Sequence, residues 1–226
     1  MSITLVLLGA PAAIVAQESV SGKPASAPPR SLLANPTAPL WRTPAPDTAV
    51  LDVATSKGVI TIELIRAWAP HGVDRVFNLA RAGFFDDSRF YRVVATYIAQ
   101  FGLAGDPRVA QRWRLARLAP DSARTVNARG TVSFAQTSPR DRTTDLFINL
   151  RDNPNLDSLR FAPIGRVIAG MDVAEALHFG YGDLPSSPPP LGNPRRFYGE
   201  ANRYLDREYP KLDRIDSVRV RARPTP

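Results

Sequence analysis

The chain has few side chains suited to metal binding or nucleophilic catalysis. It contains no cysteine, and its only histidines, His71 and His178, lie far apart in the sequence. Zinc sites are built mainly from cysteine and histidine, and a Ser-His-Asp hydrolase needs a histidine close to a nucleophilic serine. Neither histidine lies near a glycine-flanked serine motif. We therefore expect an activity that uses no metal and no cofactor.

Basic residues are abundant but scattered along the chain. The net charge of +8 would favour anionic partners such as nucleic acid or acidic lipid. Residues 108–117 combine Arg112 and Arg114 with Trp113, a pattern that also occurs in single-stranded nucleic-acid sites. A solvated basic surface is the favoured interpretation, and we expect no nucleic-acid partner. The alternative, a polyanion-binding protein, predicts affinity that falls steeply with salt.

The most informative segment is residues 89–102, RFYRVVATYIAQFG, where an arginine and a glutamine stand among alternating apolar residues. This segment resembles the signature strand and loop of the cyclophilin family. Further matching segments follow in family order: GTVSFAQT at 130–137, RTTDLFINL at 142–150, NPNLD at 153–157 and FAPIGRVIAGMDV at 161–173. The resemblance covers about residues 50–181, and several motifs in one order are more specific than any single match.

The resemblance implies a peptidyl-prolyl cis-trans isomerase that acts on proline-containing segments of unfolded proteins or loops. It also implies a mostly β fold, a closed eight-stranded antiparallel barrel capped by two α-helices. By position in the motifs, the catalytic residues are Arg92 and Gln100. The substrate-binding residues implied in the same way are Tyr97, Ile98, Ala135, Gln136, Asp145, Phe147, Leu156 and Phe161.

Each of these residues also has a plainer interpretation, since apolar strand residues usually belong to the core and arginines to the surface. Three positions depart from the family pattern. Tyr97 replaces the usual Phe, so its hydroxyl needs a partner, and Phe161 replaces His or Tyr, which removes a polar contact. Asp145 replaces the usual Gln. We hypothesise that Asp145 pairs with Arg92, orients it and weakens its charge, so that Asp145→Gln raises activity; a solvated Asp145 at the pocket edge is the alternative.

The elements that must position these residues are mainly strands. Residues 50–54 and 59–65 alternate and are rich in β-branched side chains, which predicts a hairpin. Pro70 and the apolar residues at helical spacing that follow it predict a helix ending at Gly83. Because strands outnumber helices without alternating with them, an antiparallel sheet or barrel is favoured. Further strands are predicted at 90–98, 131–135, 146–150 and 164–167, and a short helix at 173–177.

The two ends differ from the middle of the chain. Residues 3–15 form an apolar run before Ala16, which predicts a signal peptide over 1–16 and a periplasmic or secreted protein. No Lys or Arg precedes the run, and a buried N-terminal segment is the alternative. Residues 17–48 are rich in proline, alanine and serine, which predicts a flexible tether. The isomerase domain then occupies 49–182, and 183–226 form a proline-rich loop and a C-terminal extension that returns to the barrel through residues 215–220.

No segment is long and apolar enough to span a bilayer comfortably, so we expect no transmembrane helix. We also expect a monomer. The rival interpretation of the same residues is a non-catalytic module that binds proline-containing peptides as a chaperone or scaffold, with turnover weakened by Asp145. Acceleration of X-Pro exchange in a short peptide distinguishes the two interpretations.

Overall fold

A computed structural model describes residues 28–182 and 193–221 of the chain. The predicted signal peptide, residues 17–27 of the predicted tether and residues 183–192 of the predicted proline-rich loop lie outside these described residues. Nine strands are formed: β1 (Thr48–Thr55), β2 (Gly58–Ile65), β3 (Ser88–Arg89), β4 (Arg92–Val94), β5 (Ile98–Phe101), β6 (Thr131–Phe134), β7 (Leu146–Asn149), β8 (Pro163–Ala169) and β9 (Arg214–Arg221). The α-helices are α1 (Pro70–Arg81), α2 (Pro107–Trp113), α3 (Pro154–Ser158), α4 (Met171–Glu175), α5 (Pro194–Glu200) and α6 (Asn202–Glu208), and short 3-10 helices span Arg30–Ala34 and Pro39–Arg42.

All the described strands lie in one antiparallel sheet, in the order β3-β9-β1-β2-β8-β6-β7-β5-β4. The two edge strands, β3 and β4, are separated in the chain only by Phe90 and Tyr91, so the sheet curls until its edges are neighbours. The mostly β, antiparallel prediction agrees with the structure. The sheet differs from the expected closed eight-stranded barrel, because it is a curled half-barrel of nine strands. The edge strands β3 and β4 are connected by Phe90 and Tyr91, but they are not paired with each other by backbone hydrogen bonds.

The predicted hairpin and first helix are both present. Strands β1 and β2 pair from Thr48 opposite Ile65 to Thr55 opposite Gly58, which leaves a two-residue turn. Helix α1 begins with Pro70, whose missing N–H costs nothing at a helix start. The carboxylate of Asp121 accepts hydrogen bonds from the backbone N–H groups of His71 and Gly72 at 3.0 and 2.9 Å, and so caps the helix. The buried face of α1 then packs on β2, β8 and β9.

Residues 28–47 belong to the segment for which the proline content predicts a tether, and in the structure they pack on the domain instead. Leu33 and Trp41 are buried in the same apolar cluster as the sheet. The indole of Trp113 on α2 is fully buried, lies edge-on to Trp41 with ring centroids 5.3 Å apart, and donates to the carbonyl of Leu33 at 2.8 Å. Ala38 and Ala45 are buried in the same cluster, and the N–H of Ala45 donates to Asp74 on α1 at 2.8 Å, so several contacts hold this proline-rich segment. Burial also means that Trp113 does not present a stacking face to nucleic acid.

The C-terminal extension adds one strand and two helices. Strand β9 occupies the region predicted to return to the sheet and pairs with β1 and β3. Helices α5 and α6 precede it, and α5 packs against α2. The short helix predicted at 173–177 is α4, two residues earlier, because Gly170 with φ of 82° ends β8 and starts the helix. The single strand predicted over 90–98 is broken by a turn at 95–97 into β4 and β5.

Candidate active site

Strands β5 and β7 serve different purposes on their two faces, because side chains alternate along a strand. One face contributes to the main core, by which we mean the large buried apolar cluster that includes Ala99, Phe101, Leu146 and Ile148. The register places residues side by side on the opposite face as well, in the pairs Ile98 with Asn149 and Gln100 with Phe147. This opposite face carries the residues that the sequence assigns to the site.

A second, smaller apolar cluster, here called the outer cluster, lies on that face. Its buried members are Ile98, Phe147 and Leu156, with exposed fractions of 5%, 2% and 6%. Partly buried residues complete its surface: Val94, Tyr97, Ala135 and Phe161. The ring of Phe161 meets that of Phe147 edge to face at 5.7 Å between centroids. The structure therefore brings together all five predicted apolar pocket residues and Ala135, apart from the main core.

Arg92 lies beside the outer cluster and is oriented by Gln100. The two residues are register partners on β4 and β5, and Arg92 is only half-buried. Its Nη1 donates to the side-chain carbonyl of Gln100 at 3.0 Å. The Nε2 of Gln100 in turn donates to the Tyr91 hydroxyl at 3.0 Å. Because both ends of the Gln100 amide are bonded, its orientation is fixed, and one guanidinium nitrogen of Arg92 has a fixed acceptor.

The hydrogen bonds continue from Tyr91 to Asp145. The Tyr91 hydroxyl donates to Oδ1 of Asp145 at 2.6 Å. A cation and an anion are thus joined through two neutral groups, which we call the Arg92–Asp145 relay. The geometry differs from the hypothesis of a direct pair, since the hydrogen bonds that connect Asp145 to Arg92 pass through Tyr91 and Gln100. The solvated Asp145 of the alternative differs from the half-buried carboxylate that the structure has.

Burial changes the acidity of two members of the relay. Loss of water around its carboxylate raises the pKa of Asp145, although hydrogen bonds from Tyr91 and Thr143 act in the opposite direction. Burial and the negative charge of Asp145 together hold the pKa of Tyr91 well above its ordinary value. Tyr91 therefore keeps its proton at physiological pH and acts as a donor to Asp145 and an acceptor from Gln100.

Asp145 owes its place to a close approach of two chain segments. The backbone at Gly102, just after β5, passes so near residues 144 and 145 that a Cβ there would collide with the Thr144 carbonyl oxygen, and its φ is 117°. Only glycine tolerates this combination readily. From the other side, the N–H of Ala135 donates to the Asp145 carbonyl at 2.9 Å. The backbone of Asp145 is thereby held between β5 and β6.

The C-terminal extension covers the far side of the relay. Phe197 on α5 is fully buried and lies edge-on to the Tyr91 ring, with centroids 4.9 Å apart. Its neighbour Tyr198 is half-buried and receives the guanidinium of Arg114 over its ring at 5.1 Å. Burial raises the pKa of Tyr198, and the negative charge of Asp145 close by raises it further. Helix α5 thus shields Tyr91 and Asp145 from water.

A buried network of asparagines positions the loop that carries Leu156 and Phe161. Asn149 on β7 donates to the Thr131 hydroxyl at 2.9 Å and accepts from Asn153 at 2.7 Å. The Asn127 side chain donates to the Asp157 carboxylate at 2.8 Å and to the Phe161 carbonyl at 3.0 Å. Buried amides with satisfied hydrogen bonds give a well-defined position. The network fixes α3 and its flanks against the sheet.

The remaining predicted residues lie at the rim. The hydroxyl of the half-buried Tyr97 accepts a hydrogen bond from Asn155 at 3.3 Å, and the guanidinium of Arg151 lies 5.3 Å from its ring centroid. The Gln136 side chain donates at 3.3 Å to the Arg160 carbonyl and at 3.4 Å to that of Leu159. Gln136 is therefore bonded to the loop after α3, while Ala135 next to it packs on the outer cluster.

The two histidines lie outside the outer cluster. His71 lies at the start of α1, and His178 packs against the Tyr181 ring at 5.1 Å between centroids. Within 28–182 and 193–221, acidic, cysteine and histidine side chains form no group of three that could hold a metal ion. The same part of the chain contains no helix long and apolar enough to cross a membrane.

The fold and this site define a class of protein, the cyclophilins. A cyclophilin-type peptidyl-prolyl cis-trans isomerase from Cryptosporidium parvum covers 78% of this chain and 99% of its own, with a TM-score of 0.58 and 16% identity. A cyclophilin from Hirschia baltica covers 78% of this chain and 75% of its own, with a TM-score of 0.54 and 18% identity. At these identities the likeness concerns the fold.

The sequence gives the family. The model of the cyclophilin type peptidyl-prolyl cis-trans isomerase/CLD family matches residues 50–191. A peptidyl-prolyl cis-trans isomerase from Streptomyces antibioticus is 30% identical over 156 residues, which cover 62% of this chain and 93% of that protein. One from Dickeya dadantii is 31% identical over 149 residues, 60% of this chain and 78% of that protein. The chain belongs to the cyclophilin-type family and is a peptidyl-prolyl cis-trans isomerase.

Proposed function

We propose that the chain isomerises X-Pro bonds by holding the proline ring on the outer cluster while Arg92 stabilises the twisted amide. The observation that carries this proposal is the half-buried guanidinium of Arg92, bonded to Gln100 at 3.0 Å beside an apolar cluster separate from the main core. Of the other site residues, Gln100 contacts Arg92 through a hydrogen bond and the apolar ones belong to the outer cluster.

The chemistry requires a fixed cation. An X-Pro amide resists rotation by about 18–20 kcal/mol because the nitrogen shares its lone pair with the carbonyl. As the bond twists, the lone pair localises on the prolyl nitrogen, so a donor held there stabilises the transition state more than the planar ground state. One charge-assisted hydrogen bond is worth about 1.5–3 kcal/mol, roughly a 10- to 100-fold gain in rate. Arg92 supplies that part of the acceleration.

The outer cluster supplies a further part. Ile98, Phe147 and Leu156 offer an apolar surface to the proline ring, and the half-buried rings of Tyr97 and Phe161 flank it. Removing water from the amide disfavours the polar planar form, and a held ring leaves the preceding residue free to rotate. A structure of similar fold from Cryptosporidium parvum was determined in the presence of the dipeptide Ala-Pro, and we choose an Ala-Pro peptide as the probe for this chain.

The relay keeps Arg92 in its working orientation. An arginine on a short edge strand has many rotamers, and the Gln100 carbonyl restricts them. Gln100 is restricted in turn by Tyr91, and Tyr91 by Asp145. We assign Gln100 to orienting Arg92 directly, and Tyr91 and Asp145 to positioning it through Gln100.

The experiment is a protease-coupled or NMR exchange assay on a short Ala-Pro peptide. Wild-type protein is expected to accelerate exchange saturably, and Arg92→Ala to lower kcat/KM by roughly 10- to 100-fold. Arg203→Ala, which removes an exposed arginine on α6, is the matched control and should retain wild-type kcat/KM. Wild-type kcat/KM in Arg92→Ala would contradict the proposed role. Peptide binding without acceleration by the wild type would favour the proline-peptide-binding chaperone or scaffold instead.

We further propose that the clients are exported proteins and that the enzyme acts as a monomer in the periplasm or outside the cell. Support for export comes from the apolar run at residues 3–15 followed by Ala16. Cell fractionation and sequencing of the mature N-terminus test the location. A mature chain that begins near Gln17 in the exported fraction is expected, and a full-length chain confined to the cytoplasm contradicts export.

A further inference from the structure

A cavity of about 1110 Å³ lies away from the outer cluster, and no residue of that cluster lines it. Its walls come from the N-terminal segment around Trp41, from the first turns of α1, and from the end of α2 with the loop that follows at 115–119. The isomerase reaction as proposed makes no use of this cavity.

The lining of the cavity is strongly basic. Among the described residues that line it are five arginines and a single carboxylate: Arg42, Arg66, Arg75, Arg112, Arg117 and Asp74. That carboxylate is already engaged, because Arg66 donates to both oxygens of Asp74 at 2.8 and 3.0 Å. Burial opposes the lowered pKa of Asp141, which comes from hydrogen bonds of Thr137 and Ser138 and, last, from the charge of Arg117, so this acid lies within electrostatic reach of Arg117. No carboxylate is left for the charges of Arg42, Arg75 and Arg112 in the part of the lining that the structure describes.

Arg75 is the most telling of these residues because it is buried, with an exposed fraction of 7%. Its Nη1 donates to the carbonyls of Ala116 at 2.9 Å and Thr143 at 3.3 Å, and its guanidinium lies 5.1 Å from the Trp113 ring centroid. Its Nε is buried and, among the described residues, has no hydrogen-bond partner. A buried cation that meets only carbonyls and a ring is costly unless an anion compensates it.

Neighbouring groups increase the positive potential at Arg75 rather than cancel it. Burial lowers the pKa of Arg75 to about 10, and the charges of Arg42 and Arg142 act in the same direction. Arg75 still carries its charge at neutral pH. The nearby buried acid, Asp121, is occupied by Arg142 at 3.2 Å and by the start of α1. No described carboxylate close to Arg75 is therefore left to compensate it.

We propose that this cavity binds a multiply charged oxyanion of the phosphate class. Guanidinium groups bind such oxyanions with parallel N–H donors, and several arginines around one space favour more than one negative charge. The cavity is larger than a phosphate ion, so the oxyanion has two possible sources: free phosphate or pyrophosphate, and the phosphate group of a small organic ester. Arg42, Arg75 and Arg112 are the residues assigned to bind it.

Calorimetric titration of the full chain at constant ionic strength tests the proposal, with pyrophosphate, inorganic phosphate and phenyl phosphate as probes. Saturable binding is expected, and the double variant Arg42→Gln/Arg112→Gln should weaken it at least 10-fold. Both residues are exposed, so the fold should tolerate the change. Arg203→Gln, an exposed arginine on α6 outside the cavity, is the matched control and should bind as the wild type does.

The Nε–H resonance of Arg75 gives a second readout, which reports from the buried residue itself. It should shift on titration with the probe that binds, and the same shift in the double variant should need at least 10-fold more probe. Tighter binding of phenyl phosphate than of phosphate supports an organic ester as the source, and the reverse supports a free oxyanion. Failure of all three probes to bind, or equal binding by the double variant, overturns the proposal. Isomerase activity is not used, so this result is independent of the role of Arg92.

Discussion

The two faces of β5 and β7 show how one pair of strands supports both the fold and the chemistry. On the inner face Ala99, Phe101, Leu146 and Ile148 are sealed into the main core. On the outer face the buried apolar residues Ile98 and Phe147 alternate with the buried polar residues Gln100 and Asn149, and half-exposed residues with Arg92 lie alongside. Alternation along a strand assigns successive residues to different tasks. Stability and activity should therefore be separable between adjacent positions.

The largest expected effect compares Phe147→Ala with Ile148→Ala, which alter neighbours on opposite faces of β7. Because Phe147 is only 2% exposed, its truncation also costs about 3–5 kcal/mol of unfolding free energy. In the folded protein it removes apolar contact worth about 1.5–3 kcal/mol, which corresponds to roughly a 10- to 100-fold loss in kcat/KM. Truncating Ile148 leaves a hole in the main core and should cost about 2–5 kcal/mol of unfolding free energy. The assays are peptide isomerisation, corrected for the folded fraction, and urea unfolding.

The same two variants test whether effects on stability and on activity belong to different faces of β7. The kcat/KM of folded Ile148→Ala should stay close to that of the wild type. An equal loss of kcat/KM in both variants would mean that the outer cluster is merely an extension of the main core.

An intermediate effect on stability and activity is expected at Tyr91, because this residue is buried and also belongs to the relay. Tyr91→Phe removes the hydroxyl, leaves a buried acceptor on Asp145 less satisfied and should cost about 1–3 kcal/mol of unfolding free energy. Gln100 loses its anchor, so kcat should fall about 3- to 10-fold with KM little changed, since one misplaced donor costs roughly a kcal/mol. Steady-state kinetics and urea unfolding measure both effects.

Tyr198→Phe is the matched control for Tyr91→Phe, because Tyr198 lies close by but outside the relay. It should leave kcat unchanged. A fall in kcat of similar size in both variants would show that aromatic packing, rather than the relay, determines the orientation of Arg92.

The smallest effect is expected at Asp145. Asp145→Asn keeps an acceptor for Tyr91 and removes the negative charge, which should raise kcat/KM about twofold by strengthening the field of Arg92. Because burial raises the pKa of Asp145, the wild-type carboxylate is protonated as pH falls through that raised value. Wild-type kcat/KM should therefore increase toward that of the variant on the acid side. The variant should show no such increase.

The unfolding free energy should change with pH in the same direction as kcat/KM. A raised pKa in the folded state favours folding below that pKa and loses this contribution as pH rises. As pH falls, the unfolding free energy of the wild type should therefore rise relative to that of Asp145→Asn. Parallel pH profiles of kcat/KM for the two proteins would exclude a role for the Asp145 charge. Asp145→Gln introduces the residue usual in the family. Its kcat/KM should also exceed that of the wild type if the longer amide still accepts a hydrogen bond from Tyr91.

Much of the fold was predictable because its signals are local. Alternation and β-branched residues predict the β1–β2 hairpin, and helical spacing after Pro70 predicts α1. The break between β4 and β5 was not, because the turn at 95–97 depends on Thr96 at φ of 56°, a conformation that threonine rarely adopts. The half-barrel likewise depends on how the short edge strands meet, and no residue pattern records that.

The site was predictable to the extent that family motifs carry it. Motif order places Ile98, Phe147 and Leu156 together, and the structure brings them into one cluster. Tyr91 and the buried asparagines 127, 149 and 153 were missed. Tyr91 looks like one more core residue of a strand, and its role depends on Asp145, which lies 54 residues away. Only the unusual Asp at a position where the family has Gln signalled that a partner existed.

The ends of the domain illustrate a different limit. Composition alone makes residues 28–47 look like a tether, yet Leu33 and Trp41 anchor them in the main core. Sparse apolar residues among prolines are weak signals in a composition count, whereas in space each fills one pocket. The contact of Phe197 with Tyr91 is similar, because nothing near residue 197 in sequence indicates that α5 covers the relay.

The most direct test of the outer-face site is NMR of wild-type protein during catalysed exchange of an Ala-Pro peptide. We predict that the Ile98 methyl signals and the Arg92 Nε–H signal shift with peptide concentration while the Ile148 methyl signals, on the inner face, do not. Exchange that is accelerated while the Ile98 and Arg92 signals stay in place would contradict the assignment of the site to this face.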